Sequence, residues 1–219
     1  MQSNPFPDTA PSFSSAVTLP QVSSSDSTSP SSGTINPGNS TYGYPCYTSH
    51  QVCNGSKSNP YLIGSINSDH DTFTFYGGAD LAHQVYYDID SITLGGNNSE
   101  IAVNGYVVLN VQTSIDIKGQ GVANALTTAP EAVQINFAGT DASGGVSLHG
   151  NAAMTATLTA PLATVNVGGG GSSGYFVGSI RALNVSAQGG YPMHYDVQLQ
   201  RLDGVMGQVI VSSYARIKQ

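Results

Sequence analysis

Tryptophan is absent from this 219-residue chain, and charge is scarce. Asp, Glu, Lys and Arg make up 9% of residues, against about 25% in an ordinary globular domain. Only six of them are basic, and the net charge is −7. That excludes the basic footprint of a nucleic-acid binder, and an anionic membrane surface would repel the chain. Long apolar runs are missing too: none approaches the ~18 residues that a membrane span needs, so no membrane insertion is expected in this segment. The start, MQSNPFPDTAPSF, is polar and carries no apolar core of a signal peptide. Export is nevertheless the expectation, with the targeting segment removed.

Cysteine is nearly absent as well. Cys46 and Cys53 stand in YPCYTSHQVC. Two cysteines this close in a Ser/Asn/Pro-rich stretch suggest a local disulfide and an oxidising compartment. A metal site with His50 is the rival reading, although it lacks a second ligand pair. Two free thiols are the third. A bond closing so short a loop would contribute about 2–3 kcal/mol.

What the chain has in abundance is glycine, 26 residues, with Ser, Thr and Asn beside it. Residues 1–60 hold most of the prolines and dense Ser/Thr, as in SSSDSTSPSSGTINPGNS. Such a composition does not bury enough apolar area to offset its ordering entropy. It reads as an arm or linker carrying the Cys46–Cys53 loop, free or laid across the body or a neighbouring subunit. SSAVTLPQV (14–22) is its best strand candidate.

Residues 61–219 form the domain proper. Apolar and polar residues alternate there in short pulses: TFTF (72–75), VYYDID (85–90), ITL (92–94), IAV (101–103), VVLNV (107–111), IDI (115–117), VQINF (133–137), VSL (146–148), ATLTA (156–160), VNV (165–167) and LNV (183–185). Period two means strands with one buried face. The best helical candidate, GVANALTTAPEAV (121–133), is broken by Pro130 and supports a turn or two at most. The pulse centres Thr93, Asp116, Ser147, Asn166 and Asn184 are 23, 31, 19 and 18 residues apart. The long gap leaves room for an excursion around 120–145. Small-residue turns follow each pulse: GGNNS, KGQG, HGNAA, GGGGSSG and SAQGG. Short strands and thin corners at a period near 20 predict an all-β fold, a parallel β-helix or β-solenoid. One coil cannot bury its inward face alone, and the next coil stacked ~4.8 Å above buries it. A β-sandwich is the competing fold, but its strands are longer and joined by hairpins.

Three stretches carry a resemblance: 86–121, 155–196 and the closing VIVSSYARIKQ (209–219). They resemble the C-terminal domain of PilX-type type IV pilus assembly proteins and the surface proteins called choice-of-anchor A. His194-Tyr195-Asp196-Val197-Gln198-Leu199 is similar to the motif that caps the solenoid in those families, and Ala160-Pro161-Leu162-Ala163-Thr164-Val165 to one of their coil motifs. The chain departs from them in having no N-terminal membrane helix and in its two-cysteine loop. The resemblance implies a bacterial cell-surface or pilus-associated structural module without chemistry of its own.

Candidate sites are few. His194, Tyr195 and Asp196 are read as a solenoid cap that satisfies open backbone groups; acid–base chemistry needs a substrate proton in reach and an orienting partner. Asp88 and Asp90, two apart on one strand face, and Asp69-His70-Asp71 are the acidic clusters. Oxygens so placed can hold Ca²⁺, yet that ion takes six to eight, so no cofactor is expected beyond that one candidate cation. Polysaccharide-cleaving β-helices converge several carboxylates on a groove. Between Gly95 and Gly190 only Glu100, Asp116, Lys118, Glu131, Asp141 and Arg181 carry charge, so no enzyme is expected. GGSSG (170–174) lacks the strand–elbow–helix setting of a serine nucleophile. The expected role is structural, extracellular or at the bacterial surface: assembly with other protein subunits, or adhesion to surface glycans through a Thr/Asn/Tyr-lined wall. A carbohydrate-binding or carbohydrate-active β-helix is the alternative.

Overall fold

The structure, a computed structural model, describes residues 33–35, 54–70, 72–96, 99–118, 121–124, 129–149, 153–169, 174–196 and 199. Cys46, His50, Cys53, Asp71, the strand candidate 14–22 and the stretch 209–219 lie outside them. In chain order the strands are β1 (Gly33–Ile35), β2 (Tyr61–Ile63), β3 (Ile66–Ser68), β4 (Thr72–Tyr76), β5 (Val85–Leu94), β6 (Glu100–Asn104), β7 (Val107–Ile117), β8 (Gly121–Asn124), β9 (Val133–Phe137), β10 (Gly145–His149), β11 (Ala153–Gly169), β12 (Tyr175–Gly189) and β13 (Met193–Tyr195). Three single 3-10 turns, Leu81–His83, Pro130–Ala132 and Asp141–Ser143, join them, and no α-helix occurs among the described residues.

Every pairing between these strands is parallel. That excludes a sandwich of hairpins and leaves a β-solenoid of about five turns. One sheet runs β1-β4-β6-β8. The other runs β13-β12-β11-β10-β7-β5-β2, with β3 beside β5 and β9 between β7 and β11. Register shifts between Ile89 and Ser91 and between Ala160 and Thr164 crease the long sheet. Each coil therefore lays two flat stretches into it, a first wall before the crease and a second after it. The short sheet is a third wall.

The pulse spacing finds the second wall. Thr93 pairs with Asp116, Asp116 with Ser147, and Ser147 with Asn166. The last step slips by two: Asn166 meets Ser186, while Asn184 meets Thr164. The crease is the cause. β11 spends Pro161, Leu162 and Ala163 on the bend where β12 spends only Leu183. The 31-residue gap holds β8, β9 and two 3-10 turns. Strands are also longer than the pulses: β5, β7, β11 and β12 run 10, 11, 17 and 15 residues, because the chain bends at the crease without losing its pairing.

Inward residues stack into one core. Ile92, Ile115, Val146 and Val165 rise up the second wall, all buried. Ile89, Val111 and Phe137 do the same on the first. Phe73 and Phe75 enter from the third wall. The Phe75 ring meets the edge of Tyr87 at 5.0 Å between centroids, and the Tyr87 hydroxyl donates to the Tyr76 carbonyl at 2.7 Å. A buried tyrosine thus finds the partner its polar end needs. The walls are tight where coils touch, as at Gly178 inside β12. Gly178 has φ +136°, and a Cβ there would collide with the Ala156 carbonyl of the coil below. Only glycine fits.

Candidate functional site

Asp88 and Asp90 lie on β5, and the structure commits them to bonds between coils. Asn136 Nδ2 donates to Asn110 Oδ1 at 3.0 Å, and Asn110 Nδ2 donates to Asp88 Oδ1 at 2.8 Å. Asp88, Asn110 and Asn136 share one register row. They form a polar ladder on the outward side of the first wall, with its donors aimed at one carboxylate. Asp88 is nevertheless fully buried, and its Oδ2 has no hydrogen-bond partner among the described residues. Burial pushes its carboxyl above the ordinary aspartate range, against the lowering effect of the Asn110 bond. Asp90 accepts from Ser65 Oγ at 3.0 Å and from Thr113 Oγ1 at 3.4 Å. One carboxylate oxygen of this pair stays open, far from the six to eight that Ca²⁺ takes.

His194 and Tyr195 lie on the exposed strand β13, paired with Val177 and Gly178 of β12. The Asp196 amide donates to the Gly178 carbonyl at 3.4 Å. Nearby, the hydroxyl of the half-buried Tyr191, pushed up to about 12 by desolvation, donates to the Tyr175 carbonyl. All three groups of the HYD triplet sit at the C-terminal end of the stack, on the first wall.

The remaining charges are scattered. Lys118 pairs with Asp116 at 2.9 Å on the second wall. Asp141 accepts from the Thr164 backbone amide and, at 3.0 Å, from its hydroxyl, so it clasps one coil to the next. Asp80 caps the first 3-10 turn, where the His83 hydrogen bond holds its carboxyl below the usual range. No three of His, Cys, Asp and Glu stand together as a metal-holding group among the described residues.

The most distinctive surface is one that the pulses did not predict. Val185 continues the inward row above the buried Val165, yet it is 45% exposed, and Leu183 at the crease is 56% exposed. Of the exposed large apolar side chains, Tyr175, Leu183, Val185, Met193 and Tyr195 belong to β12 and β13. β13 covers β12 only at Phe176–Gly178. Beyond it, no described strand pairs with the upper edge of β12. LNV is the last pulse in the series before the chain turns to Gly189-Gly190, but its pattern is that of the buried pulses before it. The Asn110 and Asn136 rungs were also missed, although each is the fourth residue of a five-residue apolar pulse.

A protein-family profile described as a domain of unknown function (DUF7305) matches residues 51–202. The chain belongs to that family. The match spans β2 through β13, that is, the coils and the open end together. No curated protein and no solved structure matches the chain. No helix of the described residues is long and apolar enough to cross a membrane.

Proposed function

We propose that this DUF7305 chain is a non-enzymatic structural module of the bacterial cell surface, exported and pilus-associated, that assembles with other protein subunits. The observation that supports this reading is the unfinished last coil. Apolar side chains that the stack buries elsewhere stand exposed on β12, along a strand edge that no described strand pairs beyond Gly178. Such an edge is a template for another strand. The resemblance of residues 86–121 and 155–196 to PilX-type and choice-of-anchor A domains supplies the surface and pilus setting. A disulfide between Cys46 and Cys53 fits the same oxidising location.

Cells making the epitope-tagged, full-length protein test this. Expected are labelling of intact cells by antibody and recovery of the tag in sheared surface appendages. Recovery solely in the cytoplasmic fraction contradicts the reading. Adhesion to glycans is a second reading, favoured by the outward row Thr93, Asp116, Ser147, Asn166 and Ser186, a regular line of small polar groups on the second wall. A glycan array without hits removes it.

A further inference from the structure

The geometry points to a closed two-fold pair, in which the open end of the last coil docks on the same end of a second copy of this chain. The inference rests on the assembly reading and names its partner. The two ends of the stack differ. At the N-terminal end, the inward residues Ile63 and Ile66 of the first coil are fully buried, and β1 already stacks on the outer edge of β4. That end offers no bare core for a neighbour. At the C-terminal end, Val185 and Leu183 stand exposed above the stack.

A head-to-tail contact needs two complementary ends, and repetition of such a contact grows a filament. With the core of that end buried, the exposed end buries its apolar residues by meeting itself, which is an isologous contact and closes at two copies. The surface suits self-contact. From Ala182 to Met193 the sequence ALNVSAQGGYPM contains no Asp, Glu, Lys or Arg, although the chain carries a net charge of −7. Two copies therefore approach there without the like-charge repulsion met elsewhere. The edge also lacks the lysines and bulges with which natural edge strands ward off pairing. Proline enters only at Pro192, beyond the strand. The end is stepped as well, because β13 makes the first wall one strand taller than the second. A two-fold axis near Val185 sets residues 183–189 of the two copies antiparallel and buries Leu183 and Val185 of each against the other.

Sedimentation equilibrium of the full chain over a wide concentration range tests this. The expected mass rises from one chain to two and stops. Val185→Lys raises the dimer dissociation constant at least about tenfold, as a central interface residue does. Tyr76→Lys, at an exposed apolar site on the third wall, leaves it unchanged. Leu183→Lys repeats the test should Val185→Lys change the circular dichroism spectrum. Mass growing past two chains overturns the closed pair but keeps the assembly reading. A single chain at every concentration, with the amides of 183–189 protected from hydrogen exchange, means that the chain covers its own end, and it overturns both. A single chain with those amides unprotected overturns the pair alone, leaving the assembly reading to partners of another sequence.

Discussion

The early coils and the late coils of this solenoid are built differently. From β2 to β8 each coil has three walls, and large side chains meet across them: Phe73, Phe75, Tyr87, Ile92 and Ile101, all fully buried. From β9 onward no described strand joins the third wall, and the core mixes large side chains, Phe137, Leu158 and Phe176, with small ones, Ala156, Ala160 and Ala163. Spacing on the second wall changes as well. Ile66, Ile92 and Ile115 are register partners 26 and 23 residues apart, whereas Val146, Val165 and Val185 are 19 and 20 apart. The shortening is confined to the second wall: on the first wall, Tyr87, Leu109, Ile135, Leu158 and Ile180 are 22, 26, 23 and 22 residues apart. The last inward member of the second wall, Val185, is left half exposed. Exposed apolar surface is thus concentrated at the last coil.

Substitutions can break that contrast. Phe75→Ala, which empties the centre of the early core, is expected to cost about 3–5 kcal/mol in chemical denaturation. Val185→Ala at the late end is expected to change monomer stability by less than about 0.5 kcal/mol. Equal losses at the two sites would show that the coils are energetically uniform. Gly178→Ala, at a positive-φ position within β12 pressed on the Ala156 carbonyl, is expected to lose roughly 1–3 kcal/mol, with the effect confined to β11–β13 amides in hydrogen exchange. Tyr87→Phe leaves the Tyr76 carbonyl without its donor and is expected to cost about 1 kcal/mol.

Asp88 sharpens the contrast through pH. Its carboxyl holds a proton more tightly in the folded chain than in the unfolded one. Its contribution is therefore complete below the ordinary aspartate range and is lost as pH climbs through the raised folded value. The melting temperature of the wild type should fall over that interval, and Asp88→Asn should flatten the fall. An unchanged slope in the variant would show that another group carries it.

Much of this architecture was legible in the chain. Alternating pulses at near-constant spacing are what stacking demands, since each inward Ile or Val must meet a counterpart one coil away, and three of the four centre-to-centre steps coincide with observed register. The slip at Asn184 was hidden because the pulses say nothing of how many residues a crease consumes, three in β11 and one in β12. The candidate site was less legible. Val185 has the same pattern whether or not a coil lies above it, so its exposure is decided by the stacking of a further coil and not by its own neighbours in sequence. Asp88 reads as a solvated carboxylate in sequence; its burial and the Asn110–Asn136 rungs come from register, which composition does not carry. The Cys46–Cys53 loop lies outside the described residues.

Hydrogen–deuterium exchange at two protein concentrations tests the contrast between the ends most directly. At high dilution, amides of β5 and β7 should be the slowest and those of residues 183–189 among the fastest. On concentration, only the latter should slow. Residues 183–189 already as protected as β7 at high dilution would contradict an open last coil.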